Sequence, residues 1–81
     1  MPNLEFELEQ LRVAERHIDE AAARIAHMRS TLQQERANGF AAVESERALR
    51  VAEESLETFH DHRRLIVQTI AQIRSGELPS T

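Results

Sequence analysis

The chain has no cysteine, which excludes disulfides, thiolate metal centres and cysteine nucleophiles and leaves packing as the only source of stability. Trp and Tyr are also absent, Phe occurs three times, and Gly and Pro occur twice each. Such a composition favours long helices over a strand-and-turn fold. Bases are outnumbered by acids, with 10 Lys and Arg against 14 Asp and Glu for a formal charge of −4. Phosphate neutralisation needs clustered cations, and Arg63-Arg64 is too short a run to supply them, so no nucleic-acid partner is expected. No apolar stretch approaches the roughly 20 residues that span a bilayer, and the first residues carry neither the basic nor the apolar part of a signal peptide. No membrane partner follows, and a soluble cytoplasmic protein is expected. Gly-rich phosphate loops and nucleophile elbows are missing as well. The adjacent acids Asp19-Glu20 and Glu53-Glu54 make solvated helix faces rather than a facing acid and base. The reading is therefore not an enzyme, and no cofactor is implied.

What the chain does have is periodicity. Leu4, Leu11, Ile18, Ile25 and Leu32 recur every seven residues, and Ala14, Ala21 and Met28 fall three positions after the central ones. Together they make one apolar stripe on a helix from about 4 to 37. Pro2 and Asn3 mark its start, with Asn as the cap and Glu5, Glu7 and Glu9 near the positive end of the helix dipole. A second stripe, from Ala42 through Ser45, Leu49, Ala52, Leu56, Phe59, Arg63, Ile66 and Ile70 to Ile73, alternates steps of three and four without a break. It predicts a helix from about 41 to 75, ended by Gly76 in a left-handed cap, by Leu78 folding back and by Pro79, with residues 76–81 as a frayed tail.

Asn38-Gly39 is the strong breaker between the stripes, which predicts a turn over about 38–40. The competing arrangement, one continuous helix of about 70 residues through Gly39, costs about 1 kcal/mol at the glycine. The fold class is therefore all-α: a single domain over 1–81, built as an antiparallel two-helix coiled-coil hairpin. Folding about residue 39 sets Ile18 near Phe59, Leu11 near Ile66 and Leu4 near Ile73.

A chain of 81 residues buries a small share of its surface, so an isolated hairpin is expected to be marginal. Phe6, Leu8, Val13, Leu65 and Val67 lie off the stripes and gather toward the open end, whereas the half nearer the loop carries Gln33, Gln34, Glu35, Arg36, Glu44 and Glu46. That distribution predicts a homodimer in which two hairpins join through their open-end halves as a four-helix bundle. An unidentified protein partner could use the same residues.

Arg63 stands in the second stripe. The register places it beside Ala14 and Glu15, so its guanidinium either pairs with the Glu15 carboxylate or reaches past the small alanine to solvent. Either arrangement fixes register. On the same register His17 and His62 take facing flank positions, and His60 lies about half a turn from His62. Neutral imidazoles suit zinc, nickel or copper, so a metal-responsive or pH-responsive hairpin using His17, His60 and His62 is the alternative function.

The stretches AERHI, from Ala14 to Ile18, and LETFHDHRRLI, from Leu56 to Ile66, resemble a group of small uncharacterised bacterial hairpin proteins, over about Leu11 to Ile70. That group combines an Ala-Glu-Arg-His first helix with a second helix of spaced His residues followed by Arg. The resemblance implies a helical hairpin, draws attention to Glu15, Arg16, His17, His60, His62 and Arg63, and carries no activity. The group tends to have Asp or Thr after the turn glycine, whereas this chain has Gly39-Phe40-Ala41-Ala42, so the start of its second helix is expected to be weakly capped. The function read from the sequence is a non-enzymatic structural or protein-interaction module.

Overall fold

The computed structural model describes residues 3–79. Pro2 and the last two residues of the expected tail lie outside them. Helix α1 spans Leu4–Ala37 and helix α2 spans Val43–Arg74. They pack against each other in opposite directions as a rod with extents of 59 × 15 × 15 Å. There is no strand among the described residues, and no helix is long and apolar enough to cross a membrane.

The ends of α1 follow from local chemistry. Asn3 holds extended dihedrals, and its Oδ1 accepts the Phe6 N–H at 3.0 Å, while Glu5 and Glu7 occupy the first turn. At the other end Gly39 takes φ 79°. The Gly39 N–H then reaches the Arg36 carbonyl at 3.1 Å, and the Phe40 N–H reaches the Glu35 carbonyl at 2.9 Å. These two bonds form a Schellman cap, which satisfies carbonyls that the helix leaves without partners.

Helix α2 starts at Val43, two residues later than the stripe suggested. Ala41 and Ala42 have no side-chain acceptor to hold the first free N–H groups, and no side-chain cap bond forms. Ala42 is nonetheless buried where the second stripe begins. At the C-terminus Gly76 adopts φ 83°, its N–H bonds to the Ile73 carbonyl at 3.2 Å, and the Leu78 N–H returns to the Gln72 carbonyl at 3.2 Å. Leu78 is half-buried just before Pro79.

Because the loop runs over five residues, 38–42, its centre is Phe40 rather than Gly39. Cross-helix contacts follow this shift: Arg29 with Glu53 and Arg36 with Glu46 are centred on Ala41, Glu35 with Ser45 on Phe40, and Glu15 with Arg63 on Gly39. Near the loop the register is therefore displaced from the expected fold about residue 39, and toward the open end it converges on it.

The buried residues are Ala14, Ala21, Ile25, Leu32, Ala42, Ile66, Ile70 and Ile73. Ile18, Leu49, Leu56 and Phe59 are only half-buried although they lie on the seam. Two cylinders meet along one line, so the flanks of a large seam residue stay open unless a further element covers them. Toward the open end, Ala14, Ile66 and Ile70 form a cluster against which Leu4, Leu8 and Leu11 pack. Leu8, expected at an outer interface, therefore belongs to the hairpin's own core. Spacing of i, i+4 and i+7 puts Leu4, Leu8 and Leu11 on one face of a helix with 3.6 residues per turn.

Candidate protein interface

Labelling the repeat a to g, with Leu11, Ile18, Leu49 and Leu56 at a, separates two flanks of the seam. Positions e and b lie on one side, and g and c lie on the other, because each residue advances about 100° around the helix. The e side is tied by ions: Arg29 to Glu53 at 2.8 Å, Arg36 to Glu46 at 2.8 Å and Arg63 to Glu15 at 3.3 Å. The Arg63–Glu15 pair combines both arrangements considered above, since a carboxylate contact forms with 40% and 49% of the two side chains still exposed. Such exposed pairs contribute little to stability, but they tie the two helices to each other along this flank.

The g side is different. A shallow groove runs along it, lined first by His17, Glu20, Ala21, Arg24 and Phe59, and continuing past Met28, Ala48, Val51 and Ser55 to Thr31 and Ser45. Small side chains from α2 form its floor. The c positions beside it carry Phe6, Val13, Val51 and Leu65, and Phe6, Val51 and Leu65 are 58%, 57% and 62% exposed. Val13 is half-buried. Val67, at an e position, and Val43, at a b position, face the ion-paired side instead.

Exposed apolar residues are thus not confined to the open end. Phe40, Val43 and Val51 are exposed in the half near the loop, so exposed apolar surface extends along the whole rod. Phe6, Val13 and Leu65 keep their place on an outer face; Leu8 is withdrawn into the core, and Val67 lies on the opposite flank.

His17 rests against Phe59, with ring centroids 5.9 Å apart at 44°. His60 lines a separate groove on the e side with Glu15, Ile18, Asp19 and Arg63. Among the described residues no three His, Cys, Asp or Glu side chains come together as a metal site. The reason is the two-residue spacing: His60 and His62 are about 200° apart around the helix, so only one of them can share a flank with His17.

A polar layer missed in the sequence lies near the loop. The Ser45 Oγ–H donates to the Glu35 carboxylate, at 2.8 and 2.9 Å from its two oxygens, and both residues are half-buried. The signal was available, since Glu35 falls three positions after Leu32 and so continues the first stripe opposite Ser45. No buried side-chain polar atom lacks a partner among the described residues.

The fold and its faces define a two-helix hairpin with one ion-paired flank and one weakly charged, grooved flank. No protein-family model matches the chain, and no curated protein or solved structure matches it either. The resemblance drawn from AERHI and LETFHDHRRLI is thus supported as far as a small two-helix protein and no further.

Proposed function

We propose that the chain is a non-enzymatic protein-interaction module that acts as a homodimer, two hairpins joining into a four-helix bundle. The observation that carries this reading is the contrast between the flanks. One is tied by cross-helix ion pairs and its groove is lined mainly by charged Glu15, Asp19 and Arg63, while the other leaves Phe6, Val51 and Leu65 more than half exposed beside a groove lined by Ala48, Ala52 and Ser55. Half-buried Ile18, Leu56 and Phe59 support it, because a further layer of helices would complete their burial. The metal-responsive alternative gains no support from the placement of His17, His60 and His62.

The test is thermal unfolding followed by circular dichroism over a hundredfold range of protein concentration. For a dimer that unfolds to monomers, hundredfold dilution lowers the melting temperature by roughly 8 °C, because mass action removes about 2.7 kcal/mol. A melting temperature indifferent to dilution contradicts the proposal.

A further inference from the structure

We infer that the second copy lies antiparallel along the weakly charged flank, with the two loops at opposite ends and Glu20 of each copy paired with Arg24 of the other. This rests on the homodimer reading and adds to it the face, the direction and the register. A two-fold dimer needs a face that is complementary to itself, and three features of the g and c positions meet that need under one axis.

The first is charge. Glu20 and Arg24 both line the groove, and neither makes an ion pair among the described residues. An axis crossing the rod at Ala22 carries position 20 of one copy onto position 24 of the other, which creates the same ion pair twice. The second is apolar shape. Between Arg29–Glu53 and Glu15–Arg63 the register passes through a centre at Phe40 and puts Thr58 opposite Ala22, so the same axis crosses α2 at Thr58 and carries Leu65 onto Val51. Each exposed Leu65 thereby meets an exposed Val51 of the other copy, beside the groove that Ala48 and Ala52 line. The third lies at the ends, where the axis brings exposed Phe6 to the Asn38–Phe40 loop of the second copy, whose Phe40 is also exposed.

The alternative two-fold arrangement, with both loops at one end, satisfies less. It sets Val13 against Leu65 but carries Phe6 to the level of polar Gln72, and it sets Glu20 and Arg24 against uncharged Thr58 and Ser55. The antiparallel face is also large enough. With extents of 59 and 15 Å it projects to about 900 Å², near the roughly 800 Å² per partner of a specific interface.

Two measurements on the full chain decide the matter. The absence of native cysteine lets Ala41→Cys carry a single nitroxide on the exposed loop, and pulsed electron resonance then reads the distance between the loops of two copies. The antiparallel arrangement predicts a separation on the order of 50 Å, whereas loops at one end would lie within about 20 Å. The second measurement uses charge exchange. Glu20→Arg and Arg24→Glu each weaken self-association about tenfold, and mixing the two variants restores it, because in the mixed dimer every reversed charge meets its opposite. An effect confined to one helix cannot be repaired by mixing. A dimer with adjacent loops, or one indifferent to the reversals, overturns this arrangement while leaving the homodimer reading intact; a wild-type chain that stays monomeric by sedimentation at high concentration overturns both.

Discussion

The turn offers a prediction in which conformation can be separated from contact. Gly39 sits at φ 79° in the cap that ends α1, and a Cβ built there meets nothing within 4 Å. Gly39→Ala therefore introduces no clash with a neighbouring group, only the left-handed backbone penalty of about 1–2 kcal/mol. Part of that is offset by the smaller entropy of the unfolded alanine chain, about 0.4–1 kcal/mol, so a net loss near 1 kcal/mol is expected. For a domain of this size that corresponds to a fall in melting temperature of about 4–8 °C at fixed protein concentration. Gly76 provides the control: its φ is 83° with equally open surroundings, but it joins nothing beyond a short end segment. Gly76→Ala should cost well under ~0.5 kcal/mol, because that segment can fray instead of adopting the strained dihedral. D-alanine at position 39, introduced by chemical synthesis, should stabilise, since it favours positive φ. If L-alanine at 39 leaves the melting temperature unchanged, or D-alanine lowers it as much as L-alanine does, the cap is not what reverses the chain.

Other side chains give shorter tests. Ser45→Ala removes a hydroxyl held by the half-buried Glu35 carboxylate and should cost about 0.5–1.5 kcal/mol; combining it with Glu35→Leu should recover most of the loss in chemical denaturation, because no polar group is then left without a partner. Arg63→Leu gives up a half-exposed ion pair at 3.3 Å worth less than ~1 kcal/mol and extends the apolar seam between Phe59 and Ile66, so the denaturation midpoint should rise; a fall would show that the pair matters more than packing at that layer. Addition of zinc at micromolar concentration should leave calorimetric heats and melting temperature unchanged, given the opposite flanks of His60 and His62. Stoichiometric uptake abolished by His17→Ala and His62→Ala would reverse that conclusion.

Much of the hairpin could be read from spacing alone, because one apolar stripe per helix is the main demand that a two-helix contact makes. Both helices, the Asn3 cap and the positive φ of Gly39 and Gly76 were legible for that reason. The start of α2 was not, since Ala41 and Ala42 carry no capping group that would mark a boundary. Leu8 was misplaced by a strict seven-residue count, whereas a helix of 3.6 residues per turn brings it onto the core face. The candidate interface was obscured by direction. Position along the rod does not reveal how Phe6, Leu8, Val13, Leu65 and Val67 divide around it, which is visible once Arg29–Glu53 and Arg36–Glu46 mark the opposite flank as ion-paired.

The central claim, that the grooved flank joins two copies, is tested most directly by solution mass. Sedimentation and light scattering at several concentrations should give twice the 9.3 kDa of the chain at the highest concentrations, falling toward the single-chain mass on dilution. Val51→Glu with Leu65→Glu should shift that transition at least tenfold upward in concentration, since two carboxylates would have to be buried on each side of the interface. The same substitutions should leave the helical signal of the separated chain in place, because both positions are exposed in the hairpin. A wild-type chain of 9.3 kDa at every concentration, or a dimer that tolerates both substitutions unchanged, would contradict the account.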